Sequence, residues 1–321
     1  MNDVLKQLSK IGIVPVIKID DVDKAIPLAK ALCNGGLPCA EITFRTAQGE
    51  EAIRRVAKEL PEMLVGAGTV LTVDQVDRAV AAGAKFIVSP GLNPKVVKHC
   101  IDIGIPVAPG CSSPSDIEAA LEMGLTTVKF FPAEQLGGVN FIKALAGPYV
   151  NVTFMPTGGV NASNLLDYLS FNKILCCGGT WMVKADLINE GKFDEIERLT
   201  RQAVQSMLGF ELMHVGINGK NEDEAVKIAK MFETMFGFEH KVGNSSVFAA
   251  KCIEVMKTPY VGDNGHIAIG TNFIERAVAY FERNGFAFDM DTAKYDAKGN
   301  MIAVYFKDQI GGFGVHLVQK K

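Results

Sequence analysis

LVGAGTVLTVDQVDRAVAAGAKFIVSPGLNPKVVKHCIDIGIPVAPGC, residues 64–111, contains three short apolar runs, LVGAGTV, FIVSPG and PVAPGC. Two segments of helical period separate them, VDQVDRAVAAG and NPKVVKHCIDIG; both end in Gly, and the second opens with Asn, a residue of N-cap type. The same rhythm continues upstream through VPVIKI (14–19) and CAEITF (39–44). Downstream it continues through TVKFFP (127–132), TFMPTGGV (153–160) and ILCCGGTW (174–181). Eight strand–helix units in about 200 residues predict a parallel sheet closed into a (β/α)8 barrel, an α/β fold. An open doubly wound sheet is the alternative, and the absence of GxGxxG after the first strand counts against it. Residues 187–208 read as one last amphipathic helix.

Beyond about residue 211 the pattern changes and repeats internally. HVGIN (214–218), a helix EDEAVKIAKMFETMF, GFEHK and CIEVM (252–256) are matched by HIAIG (266–270), NFIERAVAYFERN, GFAFD and GVHLV (314–318). Each half reads β-α-β-β-β. One copy alone would scarcely bury its sheet, so the two are expected to form a single α+β domain over residues 211–321, beside a first domain over 1–208.

Composition narrows the function classes. A hydrophobic share of 48% with 21% charged residues describes a globular chain with a core. A balance of 33 basic against 36 acidic residues gives no broad nucleic-acid surface, while leaving room for a local phosphate site. The seven cysteines form no CxxC pair, and most lie in apolar runs, as expected of reduced thiols in a cytoplasmic protein. No signal core or apolar stretch of membrane-spanning length is present, so no membrane partner is expected.

Three clusters in the first domain carry chemistry. Lys129 sits inside the apolar run TVKFFP and shares a strand face with Phe131. If that face points inward, desolvation favours the uncharged amine, a nucleophile toward a ketone; the alternative is a lysine that snorkels to the rim or pairs with an acid. In EITFR, Glu41, Thr43 and Arg45 also share a face, which would place a carboxylate, a hydroxyl and a guanidinium in an apolar interior. A buried Glu–Arg pair on that strand is the plainer reading. Thr69 ends the third strand and adds a hydroxyl at the same rim. Finally, PTGGV (156–160) and CCGGTW (176–181) put glycine pairs after strands seven and eight, where backbone N–H groups beside a helix N-terminus hold phosphate in this fold.

GLPCAEITFR (36–45) and GLTTVKFFPAEQLG (124–137), with GAGTVL, VSPG, TGGV and the second GG, resemble the signature stretches of the 2-keto-3-deoxy-6-phosphogluconate (KDPG) and 4-hydroxy-2-oxoglutarate (KHG) aldolases over residues 1–208. The resemblance implies a class I aldolase without a cofactor, usually trimeric, acting on a small 2-oxo acid or sugar-acid phosphate. It implies a Schiff base at Lys129, with Glu41 as general acid/base. Arg45 and Thr69 would hold the pyruvate carboxylate, Pro90 and Phe131 would line the substrate, and Gly158, Gly159, Gly179 and Thr180 would hold the phosphate. Thr180 departs from the serine common at that place, which keeps the hydroxyl and adds a methyl. Expected products are pyruvate and glyceraldehyde 3-phosphate, or pyruvate and glyoxylate. The competing function is a phosphosugar isomerase, epimerase or synthase in which Lys129 is only a cation.

In the second domain His214, Glu254, His266 and His316 take matching places in the two halves, His214 with His266 and Glu254 with His316. Three His and one Glu on facing sheets suit a divalent metal. The arrangement resembles the vicinal oxygen chelate fold of glyoxalase I and the extradiol dioxygenases. It implies either a metal-dependent lyase or isomerase; the other reading is a metal-free ligand-binding or assembly module.

Overall fold

The structure, a computed structural model, describes residues 2–320. The chain divides into two compact units, residues 1–207 and 208–321.

The first unit alternates strands and helices. Its strands are β1 Ile13–Ile17, β2 Cys39–Thr43, β3 Leu64–Gly68, β4 Ile87–Val88, β5 Val107–Ala108, β6 Thr127–Phe130, β7 Thr153–Pro156 and β8 Cys177–Gly179. Its helices are α1 Asp3–Ile11, α2 Ala25–Asn34, α3 Gly49–Glu59, α4 Val73–Ala81, α5 Pro94–Asp102, α6 Pro114–Glu122, α7 Gly138–Ala146, α8 Leu165–Leu169, α9 Ala185–Asn189 and α10 Phe193–Leu208. Every expected apolar run overlaps a strand. Polar residues start the helices as the sequence predicts: Thr72, Asn93 and Ser113 accept from the backbone N–H groups of Gln75, Lys95 and Asp116. The expected single helix over 187–208 is two helices, broken at Gly191, whose φ of 69° lies in the left-handed region.

All strand pairings here are parallel. Six strands run in the order β5-β4-β3-β2-β1-β8, and β6 pairs with β7. Single bridges Gly110↔Lys129 and Thr157↔Gly178 join these sheets, so the strand order runs round a ring of eight. Strands two and six stand opposite each other in that ring. Side chains from opposite strands meet only if both point inward, and this brings Glu41 and Lys129 together.

The second unit carries β9 Glu211–Asn218, α11 Glu222–Phe236, β10 His240–Val242, β11 Ser246–Ala249 and β12 Ile253–Met256. It then repeats that order with β13 His266–Thr271, α12 Ile274–Arg283, β14 Phe288–Tyr295, β15 Met301–Phe306 and β16 Gly314–Gln319. The two β-α-β-β-β halves do not form facing sheets. They join through antiparallel β9 and β13 into one mixed eight-stranded sheet, β10-β11-β12-β9-β13-β16-β15-β14. Period-two alternation sorts its faces. Val247, Ala249, Val255 and Ile217 pack with Ala225 and Ala229 of α11, which leaves Glu254 and His214 on the opposite face.

Candidate active site

The mouth of the ring holds a cleft of about 250 Å³. Ten of the residues singled out in the first unit line it, Glu41, Arg45, Thr69, Pro90, Lys129, Phe131, Gly158, Gly159, Gly179 and Thr180, while Thr43 does not. Val16, Thr157, Val160 and Gly178 complete the wall.

Lys129 is 5% exposed, and its Nζ donates to Glu41 Oε1 at 3.3 Å, so the amine neither snorkels to solvent nor stands alone. The Phe131 ring centroid lies 5.3 Å from the same nitrogen. Glu41 is fully buried, and its Oε2 has no hydrogen-bond partner among the described residues. A buried ion pair in which one carboxylate oxygen stays unbonded is a poor stabilising device and a good proton relay.

The alternative of a buried Glu–Arg pair does not hold: Glu41 pairs with Lys129. Arg45 lies beyond the end of β2, exposed at the rim, and donates through Nε to Thr43 Oγ1 at 3.2 Å. Thr43 Oγ1 in turn donates to the Ile17 carbonyl. Arg45 makes no ion pair among the described residues, so its guanidinium is available to an anion at the cleft mouth. Thr69 has a φ of 57°, a left-handed conformation that a β-branched residue adopts only at a cost.

Two features of the cleft were not legible in the sequence. A Cβ added to Gly68 would sit 2.3 Å from Glu41 Oε1, so that glycine leaves room for the carboxylate. Thr157 is buried, and its Oγ1 has no partner among the described residues. A Cβ on Gly178 would lie 2.3 Å from that oxygen. Only the clustering of glycines hinted at either point.

The glycine turn after β7 departs from the expected helix-terminus site. Gly158 and Gly159 have φ of 95° and 85°, and α8 and α9 are five-residue helices that begin only beyond the turns. The backbone N–H groups of Gly159, Val160 and Thr180 donate to no acceptor among the described residues. The anion-binding capacity therefore lies in the loop peptides rather than in a helix end.

A second cluster occupies the second unit. The ligand atoms of His214, His266 and His316 lie within 4.8 Å of one another. Glu254 Oε2 is 3.0 Å from His214 Nε2 and 3.2 Å from His266 Nε2. Register explains the convergence: His214 opposes Ala268, His266 opposes Gly216, and the neighbouring strands place Glu254 beside Gly216 and His316 beside Ala268. Gly216 gives the His266 ring its space, since a Cβ there would sit 2.0 Å from that ring. Burial raises the affinity of the Glu254 carboxyl for its proton, but hydrogen bonds with His214, His266 and Ser246 outweigh this and hold it well below the usual range. Burial, then the neighbouring His266 and His214, pushes His316 down to about 3. Both ring nitrogens of His316 and Nδ1 of His266 are buried without a partner among the described residues. Tyr305 stacks on His316 with centroids 4.4 Å apart. A wider groove of about 460 Å³ along α11, beside Val226, Lys230 and Met235, holds no orphaned buried polar atom among the described residues.

Residues 4–199 match the family described as Aldolase: KDPG and KHG aldolase. A 2-dehydro-3-deoxy-phosphogluconate aldolase of Treponema pallidum (strain Nichols) is 48% identical over 205 residues, 64% of this chain and 98% of that protein. The KHG/KDPG aldolase of Escherichia coli (strain K12) is 45% identical over 193 residues, 60% of this chain and 91% of that one. Among solved structures, a KDPG aldolase of Legionella pneumophila with pyruvate captured as a covalent carbinolamine is 36% identical. It superposes with a TM-score of 0.61 over 62% of this chain and 97% of that one.

Proposed function

The chain belongs to the KDPG and KHG aldolase family, and from that premise we propose that Lys129 and Glu41 carry out Schiff-base cleavage of 2-oxo acids in the cleft of the first unit. The observation that carries this reading is a buried lysine nitrogen 3.3 Å from a carboxylate that keeps its other oxygen unbonded. The unprotonated Lys129 amine adds to the C2 carbonyl, and loss of water leaves an iminium. The C4 hydroxyl gives its proton to Glu41, the C3–C4 bond breaks, and its electron pair moves into the iminium to form an enamine. The aldehyde leaves, Glu41 returns a proton to C3, and water hydrolyses the iminium to pyruvate and free Lys129. Arg45, with Thr69, holds the substrate carboxylate, while Pro90 and Phe131 flank the carbon chain. The N–H groups of the turns around Gly158, Gly159, Gly179 and Thr180 hold the phosphate.

The substrate is 2-dehydro-3-deoxy-6-phosphogluconate, which yields glyceraldehyde 3-phosphate beside pyruvate. 4-Hydroxy-2-oxoglutarate, which yields glyoxylate, is a second substrate that needs no phosphate site. A cleavage assay on both, coupled to pyruvate detection, tests this, with Lys129→Ala and Glu41→Gln as controls. A wild type that cleaves neither substrate would favour the isomerase, epimerase or synthase alternative. We keep the ring as a (β/α)8 barrel and the homotrimer as parts of this reading; light scattering tests the trimer.

For the second unit we read the four-residue centre as a divalent metal site on a vicinal-oxygen-chelate-like fold. The paired halves support this, and so do buried imidazole nitrogens that no protein group satisfies. His214, Glu254, His266 and His316 would hold the ion, which supplies Lewis-acid polarisation of a ligand oxygen when bound. Metal analysis of the full-length chain tests it. Stoichiometric metal that His266→Ala removes, with aldol cleavage intact, supports the site. A metal-free chain supports a binding or assembly module.

A further inference from the structure

We propose that Glu134, held by the Tyr168 hydroxyl, is a positioning residue that sets the glycine turn 157–160 for the phosphate end of the substrate, biasing the enzyme toward phosphorylated 2-oxo acids. The proposal rests on the aldolase reading above. Glu134 is not a wall of the cleft. It opens a short 3-10 turn, Glu134–Leu136, five residues after Lys129.

Three carbonyls of the turn are tied back, away from the substrate. Thr157 O accepts from Ala133 N at 2.8 Å, and Gly158 O from Glu134 N at 3.0 Å. Gly159 O accepts from the Asn161 and Asn164 side chains at 2.9 and 3.2 Å. In a trans peptide the N–H points opposite to its C=O. Anchoring those three oxygens therefore turns the next N–H groups, of Gly158, Gly159 and Val160, the other way. All three residues line the cleft; the Gly158 N–H faces the Gly178 carbonyl of the bridge to β8, and those of Gly159 and Val160 are not used within the described protein. Two glycines of positive φ would otherwise leave the turn soft, and aligning its free donors in a soft loop costs entropy.

The Glu134 side chain completes the brace. Its stem lies directly over Gly159, where an added Cβ would meet Glu134 Cγ at 2.4 Å and Cβ at 2.6 Å. Its Oε1 accepts from the hydroxyl of Tyr168, a buried residue of α8. One side chain thus ties the end of the Lys129 strand to the turn and to the helix that follows it. A carboxylate near an anion site repels the anion, so charge does not explain it; its work here is to accept a hydrogen bond and to fill space. Glutamine would serve as well.

The test compares the full-length wild type with Glu134→Ala, Tyr168→Phe and Glu134→Gln. The readouts are cleavage of 2-dehydro-3-deoxy-6-phosphogluconate, cleavage of 4-hydroxy-2-oxoglutarate, and exchange of the pyruvate methyl protons, which needs Lys129 and Glu41 but no phosphate. The expected result is a rise of about tenfold in KM for the phosphorylated substrate in Glu134→Ala and Tyr168→Phe. Its kcat, the unphosphorylated cleavage and the exchange should stay within about twofold, and Glu134→Gln should match wild type. A variant that partly unfolds lowers all three readouts together and leaves their ratio unchanged. An equal loss on all three, or no change in the ratio, overturns the proposal. A wild type that shows neither cleavage nor exchange fails the aldolase reading instead.

Discussion

Lys129 and Glu41 lie 88 residues apart in the chain and 3.3 Å apart in space, on opposite strands of the ring. Neither residue has another charged partner among the described residues. The pair is therefore isolated from solvent and from competing ions, so a proton exchanged between amine and carboxylate stays within the cleft. Four predictions follow from this geometry and from that of the second unit.

Glu41→Gln keeps the size of the side chain and removes its capacity to take a proton. It should lower kcat for aldol cleavage by about 10²–10⁴-fold. Exchange of pyruvate methyl protons into deuterated water, followed by NMR, should fall in parallel, because the same carboxylate serves C3. Normal exchange in this variant would remove Glu41 from the proton transfer.

Gly68→Ala tests the placement of that carboxylate without changing any polar group. The new Cβ would lie 2.3 Å from Glu41 Oε1 and 2.6 Å from its Cγ, so the side chain must shift. A displacement of this order should cost about 10²-fold in kcat/KM. Circular dichroism should show the fold retained, and a variant of wild-type activity would show that the position of Glu41 is not critical.

Thr69 holds its left-handed backbone at a cost of about 1–3 kcal/mol. Thr69→Gly removes that strain, while the greater freedom of glycine in the unfolded chain takes back about 0.5–1 kcal/mol. The variant should therefore be more stable by about 1 kcal/mol in denaturant unfolding, and its KM should rise. Lower stability would mean that Thr69 is unstrained.

Acid should destabilise the second unit. The carboxyl of Glu254 is held below its usual range and His316 is pushed from 6.5 down to about 3. Unfolding therefore lets His316 take up a proton between these values, and Glu254 one below 4.5. Both contributions are complete above pH 6.5 and decline as pH falls toward 3, by a few kcal/mol in total. His316→Phe keeps a ring against Tyr305 and removes the larger part of the titration. Its calorimetric transition should therefore vary less with pH between 3 and 6.5 than that of the wild type. A slope equal to wild type would contradict the buried neutral His316.

The eight strands of the first unit were readable because strands covered on both faces appear as continuous apolar runs, and Lys129 and Glu41 stood out as charges within them. Period-two alternation was enough to put Lys129 and Phe131 on one face. It does not by itself separate Arg45 from Lys129 as the partner of Glu41; the resemblance implies Lys129, and the ring brings the two together. The use of Gly68 as space for a carboxylate and the orphaned hydroxyl of Thr157 depend on contacts between strands, which no local pattern records. The break at Gly191 was hidden inside a helical period. In the second unit the repeat predicted which residues would match, but edge pairing of β9 with β13, rather than two facing sheets, is a choice between ways of burying the same apolar residues.

The most direct measurement of the central claim is reduction with sodium borohydride in the presence of pyruvate, followed by peptide mass spectrometry of the full-length chain. The account predicts irreversible loss of aldol cleavage, with one reduced pyruvate unit on the peptide carrying Lys129 and none in Lys129→Ala. Retained activity, or label on any other lysine, would contradict it.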